Sequence, residues 1–194
     1  MQRLFLNLNS YQGERIEIDA VLERIDQLAV AAGWRRQPIQ VAGQRMLPAY
    51  HRPGRPPGNR IYLSAGIHGD EPAGPLAMLR LFLRDEWPED LNLWVAPCLN
   101  PEGFRLNRRE DAAGVDLNRD YRSQKTAVVR AHCAWLERQP NFDLTLLLHE
   151  DWEAHGFYLY ELNPDRLPSL AGGIIRGVKE VCPVDLSPVI EGRA

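Results

Sequence analysis

The chain has 194 residues, 44% of them hydrophobic and 25% charged, with a formal net charge of -3. This is the composition of an ordinary soluble globular protein, long enough for one domain with a sizeable core. Lysine and arginine are nowhere concentrated as a nucleic-acid face requires, and no apolar run is long enough to span a bilayer. Neither nucleic acid nor membrane is therefore expected as a partner.

The N-terminal stretch MQRLFLNLNSYQGE lacks the long apolar core of a signal peptide, so an exported form would need a leader outside this sequence. Apolar residues at Ile18, Val21, Leu22, Ile25 and Leu28 recur with helical spacing and predict a helix over 17–32, stopped by Gly33. The stretch RPGRPPGNR (52–60) is basic, but its proline and glycine content makes it a loop. In NRIYLSAGI, alternation puts Ile61, Leu63, Ala65 and Ile67 on one face, which predicts a strand ending at His68. The following EPAGPLAMLRLFLRDE reads as a helix with Pro72 in its first turn. An apolar strand, LNLWVAPCLN (91–100), is expected to end in the turn NPEG. An amphipathic helix over 126–138 then leads to FDLTLLLHE (142–150), which reads as a buried strand. GFYLYEL (156–162) predicts a further strand and SLAGGIIRGVKEV (169–181) a final helix.

Strands alternating with helices, the strands nearly all apolar, imply an α/β fold with a mixed, mostly parallel central sheet and helices on both faces. Sites in such sheets collect at the C-terminal ends of the strands. His68, Asn100 and His149 all fall at predicted strand ends. Cys98, Cys133 and Cys182 form no CxxC pair and are odd in number, and read as reduced, buried thiols of a cytoplasmic protein.

GIHGDEP (66–72) puts His68 and Glu71 three residues apart across a glycine-flanked turn at a helix start, where both can point at one ion. Alone, such an HxxE pair also suits a helix cap. His149 strengthens the metal reading, because it ends a strand whose apolar character gives a histidine no packing reason to be there. The neighbouring HEDWEAH (149–155) is not the zincin motif HExxH. Glu153 stands where the second histidine belongs, and the six-residue spacing to His155 does not return to one helix face. His155 is expected in a loop.

HGDE, then NPEG, then Arg109 nine residues before the asparagine of GVDLNR, then a strand-terminal histidine, resembles the zinc metallocarboxypeptidase family typified by carboxypeptidase A. The likeness covers roughly residues 60 to 162. It looks closest to the short bacterial branches near the murein-peptide amidases and the succinylglutamate desuccinylase/aspartoacylase group. The resemblance implies a zinc ion held by His68, Glu71 and His149. It makes Asp116 the carboxylate that receives the other ring N–H of His68. Arg109 becomes the group that polarises the scissile carbonyl, and Asn118 and Arg119 the pair that holds the substrate's terminal carboxylate. Asn100 and Gly103 of NPEG look structural.

The resemblance implies hydrolysis of an amide bond adjacent to a free carboxylate, on a peptide or an N-acyl amino acid. The NPEG and GVDLNRDY patterns lean toward the peptidase over an N-acyl amino-acid deacylase. The family's general base is a glutamate on a late strand, and none of Glu150, Glu153, Glu161, Glu180 and Glu191 has that context. Either residues 1–194 form a single carboxypeptidase-like catalytic domain lacking its C-terminal portion, or the base is lost. Truncation is the expectation; loss would leave a zinc-binding pseudoenzyme that recognises carboxylate-ended peptides.

Overall fold

The computed structural model describes residues 15–43 and 45–190, so the N-terminal stretch read above lies outside the described residues. The elements run α1 (Ile18–Ala31), β1 (Arg35–Arg36), β2 (Ile39–Gln40), β3 (Met46–Leu47), β4 (Tyr50–Arg52), β5 (Arg60–Ser64), α2 (Ala73–Arg84) and β6 (Asn92–Ala96). They continue with α3 (Pro101–Leu106), α4 (Leu117–Asp120), α5 (Ala127–Leu136), β7 (Leu144–Leu147) and α6 (Ala171–Lys179). The described residues fall into two compact units, one running through Glu150 and the other beginning at Asp151.

The first unit is built on a five-stranded sheet in the order β1-β4-β6-β5-β7. β5 pairs in parallel with both β6 and β7, while β4 runs antiparallel to β6 and β1 antiparallel to β4. Four of the five strands therefore point the same way, a mixed sheet with a mostly parallel core. A short β2–β3 hairpin lies apart from it.

The alternation of side chains along β5 and β6 sorts the core into two layers. Leu63, Leu93 and Val95 pack with Ile25 and Ala29 of α1 and Met78 and Phe82 of α2. Tyr62, Trp94 and Ala96 face the other way, against Val128, Val129 and Trp135 of α5. Helices thus cover both faces, as the apolar strands require. Helix α1 stops where expected, with Gly33 in the left-handed region at φ +77.

Several local expectations fail in this structure. The first strand ends at Ser64, short of His68, because Gly66 turns the chain at φ +61. Ile67 consequently leaves the face it was assigned and joins the α5-side core. NPEG is not a turn but a helix start: Asn100 caps α3 by accepting from Gly103 N at 3.0 Å, and Pro101 occupies the first turn. β7 is half-buried at the sheet edge, with Leu147 58% exposed, where the apolar run suggested a buried strand. Of the cysteines, all free, only Cys98 is buried; Cys182 is exposed.

In the second unit the strand expected over 156–162 reduces to one isolated bridge, Phe157 to Val184. α6 forms as expected, none of its residues buried. Among the described residues no helix is long and apolar enough to cross a membrane.

His132 is enclosed in the α5-side core between two phenols. Its Nε2 lies 2.7 Å from Tyr62 Oη and its Nδ1 2.6 Å from Tyr121 Oη. A neutral ring suits that cage, accepting one O–H and donating to the other oxygen. Burial pushes its pKa down to about 4, against about 6.5 in an unfolded chain. Between those values the unfolded state binds a proton that the native state refuses, so stability should fall as pH drops from about 6.5 toward 4. Urea titrations across that range should show the decline, and His132→Gln should flatten it.

Candidate metal centre

Because β6, β5 and β7 are parallel, their C-terminal ends open onto the same edge of the sheet. The loops leaving them carry Asn100, His68 and His149. Pairing continues past the strands through Asn100 N to Gly66 O at 2.8 Å and Leu148 N to Ser64 O at 2.8 Å. The histidine-bearing loops are therefore extensions of the ladder, not free segments.

Asn100 organises the neighbourhood from complete burial. Its Nδ2 donates to Ile67 O at 3.2 Å and Arg109 O at 3.3 Å, while its Oδ1 holds the start of α3. One amide side chain thus ties the His68 loop, α3 and the Arg109 backbone together, a structural role as the sequence suggested. Gly69 is required here because a Cβ would overlap the Gly103 carbonyl carbon.

Glu71, 5% exposed, is the centre of the site. Its Oε1 meets His68 Nδ1 at 2.6 Å and accepts from Arg109 Nη1 at 3.3 Å. Its Oε2 meets His149 Nδ1 at 2.9 Å and accepts from the Glu150 amide at 3.1 Å. Ligand atoms of His68, Glu71 and His149 lie within 4.8 Å of one another, so two imidazoles and a carboxylate converge as a metal-binding set requires. The rings differ in access: the His68 side chain is 1% exposed and that of His149 36%.

Behind His68, Nε2 faces Asp116 Oδ1 at 3.3 Å, which leaves Nδ1 as the nitrogen aimed at the cluster. Asp116 also accepts from Arg109 Nε at 3.0 Å and, as the cap of α4, from Asn118 N at 2.9 Å. The Arg109 Nη2 is buried with no hydrogen-bond partner among the described residues. Burial works against charge on each of these groups, but the pairing outweighs it. Glu71, despite burial, is drawn down to about 2 by His149 and His68. Asp116, also desolvated, sits well below the usual carboxylate range through His68 and Arg109. Burial opposes the charged form of His68, yet Asp116 and Glu71 raise its pKa above the ordinary value.

Asn118 and Arg119 follow on α4, with Arg119 exposed. The rejected ligand His155 lies exposed in an irregular turn of the second unit. Glu191 lies outside the described residues.

Sequence reading missed the anchoring role of two residues, Glu150, weighed there only as a base, and Asp120. Glu150 donates its amide to Glu71 and points its carboxylate at the Ala73 amide, 2.8 Å away. The signal available was its place next to a strand-terminal histidine. Asp120 is the other, buried at the end of α4 inside the quoted GVDLNRDY. It accepts from Ser123 Oγ at 2.7 Å, Lys125 N at 2.9 Å, Thr126 N at 2.7 Å and Thr126 Oγ1 at 2.8 Å. Those donors fix the exit of the Asn118–Arg119 segment.

The sequence model of the succinylglutamate desuccinylase/aspartoacylase catalytic domain matches residues 57–162. Carboxypeptidase SOL1 of Arabidopsis thaliana is 39% identical over 69 residues, which cover 30% of this chain and 14% of that protein. Murein peptide amidase A of Escherichia coli K12 is 42% identical over 57 residues, covering 29% of this chain and 23% of that protein. These matches thus take in less than a quarter of either curated relative's length. Among solved structures, a candidate metallopeptidase of Shewanella denitrificans superposes with a TM-score of 0.74 at 24% identity, over 92% of this chain and 72% of that one. A metallo-carboxypeptidase of Pseudomonas aeruginosa, bound to (2-guanidinoethylmercapto)succinic acid, gives 0.64 at 23% identity, over 75% and 43%. At these identities the structural likeness carries the fold alone.

The Asp120 pKa is held well below its usual value by Ser123 first and then the Thr126 amide. A lowered carboxylate contributes stability above its unfolded pKa of about 3.9 and loses it as pH falls. Asp120→Asn should therefore unfold at lower urea than the wild type near neutral pH. The two midpoints should draw together below about pH 4.

Proposed function

We propose, since the chain belongs to the succinylglutamate desuccinylase/aspartoacylase catalytic-domain family, that it hydrolyses an amide bond adjacent to a free carboxylate at a zinc ion. The observation that carries this reading is the convergence of His68, Glu71 and His149 within 4.8 Å, with Asp116 behind His68. The donor set fits zinc: two imidazole nitrogens and one carboxylate, three protein ligands that leave a position open for chemistry. When bound, zinc supplies a Lewis acid that polarises a carbonyl and activates water at neutral pH.

The remaining work falls to the chain's own side chains. Asp116 takes the Nε2 proton of His68 as a hydrogen bond, which fixes the tautomer and frees the Nδ1 lone pair for the ion. Arg109 is anchored by Asp116 and Glu71 through Nε and Nη1. Its unpartnered Nη2 is then the donor available to the scissile carbonyl oxygen, where negative charge gathers as the carbon becomes tetrahedral. Arg119 and Asn118, next on α4, would receive the substrate carboxylate. Exposure of Arg119 suits a group that must meet its partner from solvent.

The peptidase reading draws on the short matches to carboxypeptidase SOL1 and murein peptide amidase A. A second reading, N-acyl amino-acid deacylation, is favoured by the span of the family match, 57–162. Both share the ligand set and the carboxylate clamp. Hydrolysis assays on the zinc-loaded chain, with C-terminally free peptides beside N-acyl amino acids, separate them by which class turns over. A chain that binds zinc and free-carboxylate ligands but turns over neither class would fit the pseudoenzyme or a chain without its base, whereas one that binds neither zinc nor those ligands would remove the hydrolase reading.

Two experiments probe the parts. Metal analysis of purified protein should find about one zinc per chain. His68→Ala and His149→Ala should each lose most of it while His155→Ala keeps it. Full zinc occupancy in the His149 variant would refute the ligand assignment. Arg119→Ala should weaken a free-carboxylate ligand about tenfold or more, the scale of a charge-assisted hydrogen bond. An amidated analogue should bind both proteins alike, and calorimetry on the pair makes the comparison.

A further inference from the structure

Helix α2 begins just after Glu71, and its N-cap position is held by Pro72, a residue with no side-chain hydrogen-bonding group. The free amide at its first turn, Ala73 N, is instead satisfied by Glu150 Oε2 at 2.8 Å, from 77 residues along the chain. The route is dictated by strand geometry. Leu146, Leu148 and Glu150 fall at successive alternate positions, and both leucines pack into the core layer that contains α2. Glu150 therefore extends that row onto the end of the helix, where a negative charge is favoured by the helix dipole. His149, between them in sequence, points to the opposite face and reaches Glu71.

The backbone of the same residue makes a second tie. Leu148 N donates to Ser64 O, continuing the β5–β7 ladder, and the next amide on that edge, Glu150 N, donates to Glu71 Oε2 at 3.1 Å. The Glu71 carboxylate stands where the next carbonyl of a neighbouring strand would be. Two hydrogen bonds from Glu150 thus join the chain segment bearing His149 to the segment bearing Glu71, one through each end of the residue.

We infer that Glu150 is a positioning residue for the metal centre, latching the strand end that carries His149 onto the helix start that follows Glu71. This rests on the zinc-site reading above. The side chain acts as a helix cap and is occupied in doing so, which sets it apart from a carboxylate free to act as general base. With the latch intact the spacing between the second and third ligands is set before any ion arrives. Without it, the exposed His149 end must be ordered by the ion itself, at a cost in affinity.

The test compares Glu150→Ala, Glu150→Gln and Glu150→Asp with the wild-type chain. Zinc affinity is read by chelator competition, and the ligand field by the visible absorption of the cobalt(II)-substituted protein. Glu150→Ala should weaken zinc by about tenfold to a hundredfold, the range for residues that orient ligands, and should alter the cobalt spectrum. Glu150→Gln keeps an acceptor oxygen and should restore most of the affinity and the wild-type spectrum. Glu150→Asp keeps the charge but shortens the reach; should the alanine variant not fold, its weakened zinc binding with unchanged circular dichroism gives the same answer. Wild-type affinity and spectrum in both Glu150→Ala and Glu150→Asp would overturn the inference while leaving the zinc site standing. A Glu150→Gln protein that holds zinc as the wild type does yet loses turnover about a hundredfold would put the carboxylate in the chemistry and also overturn it. A wild-type chain that binds neither zinc nor cobalt would overturn the underlying site reading, and this inference with it.

Discussion

The Glu71 carboxylate carries more of this structure than any other group. In a nearly dry position it gathers two imidazoles, a guanidinium and a backbone amide. An ionised carboxylate without such partners would be costly to bury. With them it becomes the point where three loops, each from a different part of the chain, are held in register. Two of those four donors, the imidazoles of His68 and His149, also belong to the metal-binding set, so local stability and candidate chemistry share part of one set of contacts.

The sheet makes that gathering possible. Parallel pairing of β6, β5 and β7 brings three strand exits to one edge, and two separate core layers hold the strands from above and below. Asn100 then converts strand order into loop order by bonding Ile67, Gly103 and Arg109 at once. Arg109 is placed by its backbone as much as by its side chain, since its carbonyl is bound by Asn100 and by Gly69 N at 3.3 Å. A guanidinium held through Nε, Nη1 and its own backbone carbonyl leaves Nη2 buried and without a hydrogen-bond partner among the described residues.

Much of this was legible in the sequence, for identifiable reasons. The helices announced themselves through apolar spacing and their stops. His68, Glu71, Arg109, Asp116 and His149 were legible because their order matches a family pattern, and the structure brings these five together. What escaped was set by tertiary context. Apolar alternation over 142–150 cannot tell a central strand from an edge strand, and β7 proved to be at the edge of the described sheet. Alternation over 156–162 found no partner strand beyond the Phe157 bridge. Ile67 changed faces because a glycine turn intervened, and NPEG started a helix because Asn100 supplied the cap. Glu150 and Asp120 were invisible as anchors because their partners lie elsewhere in the fold or on amides, which sequence does not display.

The unequal exposure of the two imidazoles has a kinetic meaning. His68 is sealed between Asp116 and Glu71, whereas a third of the His149 side chain faces solvent. For an ion held by the three ligands proposed above, the His149 side would be the route of entry and exit, and its residence time would follow how often that exposed ring swings away. The buried pair would then set how strongly such a centre grips, and the exposed ring how quickly it fills and empties.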